Sequence, residues 1–138
     1  MDKRIKLEIK LPLVKDIELV ALEGLELMGR HLEISDNKIG EARILVTEGV
    51  INAIEHSENK SPFVDVHFIM NVDALVIIIT DYGKGFNHTA VEDPDISKKL
   101  SSDNKRGWGL KLMKEMSDEF QIDSNEEGTK ITLTKNLR

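Results

Sequence analysis

The chain contains no cysteine among its 138 residues. Disulfide bonds, thiolate metal sites and cysteine nucleophiles are therefore excluded. No apolar stretch approaches the roughly 20 residues that a membrane-spanning helix needs, and the N-terminus lacks the apolar region of a signal peptide. An excess of positive charge is also absent, because 25 acidic residues outnumber 19 basic ones and the formal net charge is −6. Non-specific binders of nucleic acid or of anionic membranes are usually basic, so we expect neither partner. The lack of a membrane-spanning stretch and of a signal peptide predicts a cytoplasmic protein.

The composition that remains is that of an ordinary globular protein. Hydrophobic residues make up 40% of the sequence and charged residues 32%, which argues against disorder. The length suits one domain with a sizeable core, so we predict a single domain over residues 1–138.

Hydrophobic periodicity predicts eight elements in the order β-α-α-β-β-α-β-β, with a long loop before the third helix. The predicted strands cover residues 4–11, 64–70, 74–80, 120–122 and 131–133, and the predicted helices cover residues 14–33, 35–57 and 107–119. Ser35 is the expected N-cap of the second helix. Two successive helices and paired hairpins favour an α+β two-layer sandwich, in which a mixed, mainly antiparallel sheet carries helices on one face.

The second helix carries a narrow polar stripe. Glu48, Asn52 and His56 are spaced four residues apart and therefore lie on one side of a helix. Most of the surrounding helix is apolar, so a charged stripe there needs a partner, a bound ion or a wet pocket. A helix with one solvated face explains the same pattern, and the stripe alone does not decide between the two interpretations.

The first of three glycine-containing segments follows the most apolar strand. In Asp81-Tyr82-Gly83-Lys84-Gly85 the two glycines would let the backbone approach a ligand closely. Asp81 could accept hydrogen bonds from an amino group and from a ring N–H. A simple turn after a strand is the better explanation of this segment alone, since it matches neither a Rossmann fingerprint nor a P-loop.

The second segment, Arg106-Gly107-Trp108-Gly109-Leu110, begins the third helix. Backbone N–H groups at a helix N-terminus, together with an arginine, favour an anion such as phosphate. The alternative is a glycine-rich hinge with Trp108 packed on the core. The preceding loop, at about residues 87–105, has a length typical of a functional lid or of a disordered segment. The third segment, Gly128-Thr129, is in isolation a hairpin turn and the start of a strand.

In this order and at this spacing, the stripe and the three segments resemble the N, G1, G2 and G3 boxes of the GHKL ATPases. This superfamily includes gyrase, a class of heat-shock chaperones, the histidine kinases and MutL, and the resemblance covers nearly the whole chain. Within that superfamily, the small size, a loop between Phe86 and Arg106 that is brief for the superfamily, and the run from Trp108 to Met113 resemble the anti-sigma factor serine/threonine kinases of bacteria. The resemblance implies the histidine kinase-like (Bergerat) fold, with ATP and Mg²⁺ as ligands. It also implies a homodimeric kinase that binds a sigma factor and phosphorylates an anti-sigma factor antagonist protein.

The same resemblance implies a role for each site residue. Glu48 would be the general base that takes the proton of the attacking hydroxyl, and Asn52 would give an amide oxygen to Mg²⁺. Asp81 would bind the adenine amino group with help from the Thr129 hydroxyl. The other residues would surround the nucleotide: Gly83 and Gly85 beside the base and sugar, and Arg106, Gly107, Gly109 and Leu110 at the phosphates, under the loop at 87–105.

Other interpretations stay open at this point. His56 and Lys84 are more simply structural and solvated residues, and Met113 and Met116 are more simply core residues. The chain could be a nucleotide-gated protein-binding module with little or no kinase turnover. It could be the ATPase half of a sensor histidine kinase, although no helical hairpin with a phosphoacceptor histidine precedes its first strand. It could also be a structural protein without nucleotide.

Overall fold

The structure is a computed structural model, and it describes residues 4–57, 61–83 and 105–138, the side chains of residues 105–107 excepted. The elements are β1 (Ile5–Pro12), α1 (Glu18–His31), α2 (Asp36–Ser57), β2 (Phe63–Met70), β3 (Ala74–Asp81), α3 (Lys105–Met116), β4 (Glu119–Asn125) and β5 (Gly128–Asn136). Their order along the chain is the predicted one. The loop predicted at about 87–105 lies almost wholly outside the described residues, and α3 begins at its last position.

The five strands form one sheet in the order β1-β2-β3-β5-β4. All four pairings between neighbouring strands are antiparallel. The predicted α+β fold with a mainly antiparallel sheet is therefore confirmed, and among the described strands no pair is parallel.

The register of the strands aligns apolar side chains in rows across one face of the sheet. One such row runs through all five strands and consists of Leu7, Phe68, Ile77, Leu133 and Phe120. Its three central members are fully buried, and the two at the sheet edges pack partly buried against the same core. Alternation with period two places every second residue on this face, so the sequence pattern itself decides which side of the sheet is covered.

The helices cover that face. α2 lies at the centre, where it packs on β2, β3 and β5 and on both other helices. Ser35 is its N-cap, as predicted, because the Lys38 N–H donates to Ser35 Oγ at 3.4 Å. No helix in the described ranges is long and apolar enough to cross a membrane.

α1 is shorter than its periodicity predicted. It starts at Glu18 instead of residue 14, after Asp16 adopts a left-handed backbone with φ of 64°. Val20, which the helical spacing placed on the apolar side, is 51% exposed. The helix ends at His31, and Glu33 turns the chain away with φ of 57°.

One buried cation joins three elements. The Lys135 ammonium on β5 donates to the Met116 carbonyl oxygen at the end of α3, at 3.0 Å. It also lies 2.7 Å from Glu41 Oε2 on α2. This partner lowers the pKa of the Glu41 carboxyl, chiefly through the hydrogen bond and then through the opposite charge. A lysine at a position facing the core is therefore satisfied by a carboxylate and a helix-terminal carbonyl.

α2 contains two glycines with different surroundings. A Cβ atom on Gly49 would collide with the Ile79 side chain, so this glycine lets α2 approach β3 closely. A Cβ atom on Gly40 would meet no atom within 4 Å in the described part of the chain. A glycine inside a helix costs roughly 0.5–1 kcal/mol relative to alanine, and at Gly40 no packing contact offsets that cost.

Candidate functional site

The polar stripe of α2 is present, but its three members differ in burial. Glu48 is half-buried, whereas Asn52 is 4% exposed and His56 is 5% exposed. At 1.5 Å of rise per residue the stripe extends over about 12 Å from Glu48 to His56. It therefore has two distinct ends, and each end meets a different glycine-containing segment.

At the His56 end, α2 meets the segment that follows β3. A Cβ atom on Gly83 would collide with the His56 carbonyl oxygen and would lie 2.7 Å from Ser57 Cα. Gly83 is therefore required because backbone packs on backbone here, a contact that side chains of any size would prevent. The sequence predicted a glycine beside the base and sugar of a nucleotide; the structure adds that Gly83 fixes the end of β3 against α2.

Asp81 is the last residue of β3, and its side chain is 2% exposed. Its Oδ1 accepts a hydrogen bond from the Gly83 N–H at 3.1 Å. Burial raises the pKa of the Asp81 carboxyl, and hydrogen bonds from the Gly83 and Thr129 backbones oppose that rise. The backbone thus orients a carboxylate that is costly to bury, which is a common feature of binding sites.

Thr129 lies directly opposite Asp81 in the pairing of β3 with β5. Its hydroxyl is 2.8 Å from Ser124 Oγ on β4, which sequence reasoning did not single out. Gly128 precedes it with φ of 144°, and a Cβ atom there would collide with the Asp81 carbonyl oxygen. The Gly128-Thr129 pair is thus more than a hairpin turn, since it packs against the backbone and side chain of Asp81.

Asn52 occupies the middle of the stripe. Both Oδ1 and Nδ2 are buried without a hydrogen-bond partner in the described part of the chain. Leaving a buried polar group unsatisfied costs about 1–3 kcal/mol per group, so native proteins rarely do so without a reason. The Asn52 amide is therefore the strongest local indication of a ligand.

At the other end of the stripe, Glu48 meets the first turns of α3. A Cβ atom on Gly109 would lie 3.1 Å from Glu48 Oε2, so the absence of a side chain leaves room for the carboxylate. Burial raises the pKa of the Glu48 carboxyl, and the negative charge of Glu55 raises it further. A carboxylate with a raised pKa is a better proton acceptor than an ordinary glutamate.

The remaining predicted residues of α3 are placed in different ways. Leu110 is 5% exposed and belongs to the core, so only its backbone remains available to a phosphate. Trp108 is 38% exposed instead of packed on the core. Arg106 and Gly107 belong to the first turn of α3, and the Arg106 side chain is not described. Gly85 and Lys84 lie outside the described residues.

The structure thus places six predicted residues on α2, β3, α3, β5 and the segment after β3: Glu48, Asn52, Asp81, Gly83, Gly109 and Thr129. Gly83, Asp81 and Thr129 lie at the His56 end of the α2 stripe, and Gly109 lies at its Glu48 end. We call the stripe together with these residues the strip. Met113 is fully buried and Met116 is partly buried, which confirms both as core residues.

The strip suits an elongated ligand with a hydrogen-bonding end and an anionic end. Asp81 offers acceptor oxygens at one end, and the N-terminal turns of α3 offer backbone N–H groups at the other. Within the described ranges no cluster of three or more His, Cys, Asp or Glu side chains could hold a metal ion alone. The unpartnered Asn52 oxygen nevertheless fits one ligand position of Mg²⁺, which binds proteins through few side chains and takes further oxygens from phosphates.

The chain is similar to known proteins over most of its length. Residues 14–135 match the family model of the histidine kinase-like ATPase domain. The serine-protein kinase RsbW of Bacillus mycoides (strain KBAB4) is 26% identical over 145 residues, covering 100% of this chain and 89% of the relative. RsbW of Staphylococcus aureus (strain bovine RF122 / ET3-1) is 27% identical over 107 residues, covering 72% of this chain and 67% of the relative.

Two solved structures share the fold. The RsbU and RsbW domains of Rv1364c from Mycobacterium tuberculosis superpose with a TM-score of 0.71 at 19% identity, covering 96% of this chain and 32% of that longer chain. The SiaB-SiaC complex from Pseudomonas aeruginosa gives a TM-score of 0.61 at 13% identity, covering 94% of this chain and 89% of the matched chain.

At these identities the structural matches establish the fold, and the family model establishes the membership. The matched range contains every element from α1 to β4 and nearly all of β5, and with them all ten predicted site residues. This chain belongs to the histidine kinase-like ATPase domain family.

Proposed function

We propose that this protein is an ATP-dependent serine/threonine protein kinase that acts as an anti-sigma factor. In this proposal it binds a sigma factor and phosphorylates an anti-sigma factor antagonist, as a cytoplasmic homodimer without direct contact to nucleic acid. The observation that carries the proposal is the half-buried Glu48 carboxylate, which lies against Gly109 at the helix terminus where phosphates would bind. The relatives named serine-protein kinase RsbW support a kinase of this class.

Nucleotide binding would use the full length of the strip. Asp81 Oδ1, already oriented by the Gly83 N–H, would accept a hydrogen bond from the adenine amino group. The backbone at Gly107, Gly109 and Leu110 would donate to the phosphates at the start of α3, with Arg106 adding a positive charge. Bound Mg²⁺, held by Asn52 Oδ1 and phosphate oxygens, would neutralise charge on the nucleotide.

Transfer requires a base next to the γ-phosphate. Glu48 would accept the proton of a serine or threonine hydroxyl while that oxygen forms a bond to the γ-phosphorus. The bond between the γ-phosphorus and the bridging β–γ oxygen breaks, and ADP leaves with the electron pair. Because phosphoryl transfer depends mainly on positioning and charge neutralisation, this small set of groups is sufficient.

The test is incubation of the protein with γ-³²P-labelled ATP and candidate antagonist proteins. We expect acid-stable label on a serine or threonine of one antagonist, and loss of that label in Glu48→Gln. Glu23→Gln, which removes an exposed carboxylate on α1, is the matched control and should label normally.

Other outcomes would point elsewhere. Stable ATP occupancy without transfer, together with a nucleotide-dependent protein complex, would favour a switch module with little or no turnover. Acid-labile label on a histidine of the chain itself would favour a sensor histidine kinase. Equal labelling by the wild type and by Glu48→Gln would refute the assignment of the base.

A further inference from the structure

A groove borders Glu48 on the side away from Asn52. It has a volume of about 310 Å³, and the described residues that line it are Gly40, Arg43, Ile44, Thr47 and Glu48 of α2. We call this feature the α2 groove. Gly40, Ile44, Thr47 and Glu48 follow helical spacing and form one face of the helix.

The position of the α2 groove along the helix separates it from the nucleotide strip. From Glu48 the strip extends about 12 Å towards His56 and Gly83, and the groove extends about 12 Å in the opposite direction to Gly40. Glu48 is the residue common to both. A base placed between two compartments can take a proton from a group in one compartment while the phosphate lies in the other.

The groove also has the surface of a contact site. Ile44 is 43% exposed although it is apolar. Gly40 is exposed, and no packing contact in the described chain requires a glycine there. A helix glycine without an internal reason allows another backbone to approach the helix closely.

One wall of the groove is held in place. Arg43 Nη1 donates to Glu26 Oε1 on α1 at 2.9 Å, across a partly buried pair. The charges of this pair offset each other, so the groove combines the exposed Ile44 side chain, a backbone without a side chain at Gly40 and the carboxylate of Glu48. An extended peptide with small or apolar residues beside its hydroxyl fits this chemistry better than a highly charged one.

We propose that the α2 groove receives the extended segment of the protein substrate that carries the phosphorylated serine or threonine. This inference rests on the proposed kinase function and adds where the acceptor lies. Gly40 and Ile44 are then positioning residues for the acceptor, and Glu48 takes the proton from its hydroxyl. The acceptor oxygen bonds to the γ-phosphorus as the β–γ bridging bond breaks and ADP leaves.

Steady-state kinetics with the antagonist protein that the wild type labels will test this inference. Gly40→Leu fills the groove without touching the nucleotide strip, and we expect its KM for the antagonist to rise about 10-fold or more with kcat little changed. Gly40→Ala adds one methyl group at the same place, so its KM should rise less than that of Gly40→Leu. Glu23→Leu, which places the same side chain at an exposed position on α1, is the matched control and should behave as wild type. The ATP dissociation constant should be unchanged in both Gly40 variants.

Ile44→Asp and Ile51→Asp form a second matched pair. Both isoleucines lie on α2 with similar exposure, 43% and 38%, but only Ile44 lines the groove. We expect a raised KM for the antagonist in Ile44→Asp alone. An unchanged KM in Gly40→Leu and Ile44→Asp, with normal labelling by the wild type, would overturn the groove and leave the kinase intact.

Because the chain has no cysteine, Gly40→Cys provides a unique thiol for a photo-crosslinker. We expect crosslinks to the antagonist within the segment that is phosphorylated, and Glu23→Cys on α1 should give none there. Crosslinks to a second copy of this chain, or only to a remote part of the antagonist, would overturn the inference. If the wild type labels no protein at all, the proposed function itself is wrong and the inference falls with it.

Discussion

Glu48→Gln separates the chemical role of Glu48 from its effect on stability. The substitution keeps the shape of the side chain but removes its charge and its ability to take a proton. A general base typically contributes about 10²–10⁴ in rate, so we expect kcat for transfer to the antagonist to fall by that factor. At 1.36 kcal/mol per tenfold, this corresponds to about 2.7–5.4 kcal/mol of transition-state stabilisation.

The same substitution should stabilise the protein without nucleotide. Burial and Glu55 raise the pKa of Glu48 in the folded state, so the ionised carboxylate is less favourable there than in the unfolded chain. Its contribution to stability is present at low pH and is lost as the pH rises through the raised pKa. Glu48→Gln should therefore melt at a higher temperature than wild type near pH 7.5, and the difference should shrink as the pH falls towards the ordinary carboxyl range.

Thermal melts from about pH 4 to pH 8, combined with the labelling assay, will measure both effects. Glu23→Gln controls for the removal of an exposed carboxylate and should change neither quantity. A normal kcat in Glu48→Gln would refute the base, and a lower melting temperature at pH 7.5 would refute the electrostatic reasoning.

Two further substitutions probe the middle and the far end of the strip. Asn52→Leu removes two buried polar atoms that lack a described partner, so the free energy of unfolding without nucleotide should rise by about 1 kcal/mol or more. The variant should also lose its stabilisation by Mg²⁺–ATP. A destabilised variant that still binds ATP would contradict this. Gly83→Ala forces a Cβ atom against the His56 carbonyl, so it should cost about 1–3 kcal/mol and weaken ATP binding, as measured by denaturant unfolding and nucleotide titration. Gly40→Ala is the matched control because a Cβ atom there meets open space, and it should stabilise the folded protein by up to about 1 kcal/mol. Equal effects of the two substitutions would show that Gly83 is not constrained.

The sequence predicted the order of elements because the apolar periods of the strands and helices are nearly uninterrupted. The alternation over residues 64–70 and the helical spacing of α2 decide which side chains point to the core, and both patterns appear in the structure. The predicted start of α1 was wrong because the apolar spacing extends back to Ile17 and Val14. The left-handed backbone at Asp16 does not allow a helix there. The prediction that Val20 lies on the apolar side of α1 was wrong for a related reason, since helical spacing alone does not say how much of the helix surface is buried.

The sequence identified candidate site residues, but it did not predict the contacts that these residues make. Glycine spacing identified Gly83 and Gly109, whereas only coordinates reveal that Gly83 meets the backbone of α2 and Gly109 meets Glu48. The Ser124 hydroxyl beside Thr129 depends on the register of β4 against β5, which a single sequence does not specify. Lys135 could have been noticed because it interrupts the apolar face of β5, but its partners lie in distant segments.

The most direct test of the nucleotide site is a melting curve with and without Mg²⁺–ATP, on wild type and on Asp81→Asn. Ligand at 100-fold over its dissociation constant stabilises the folded state by about 2.7 kcal/mol. For 138 residues this corresponds to a rise of about 9 °C in the melting temperature. We expect that rise in wild type and at most a small part of it in Asp81→Asn. No rise at millimolar ATP, or the same rise in both proteins, would contradict the site described above.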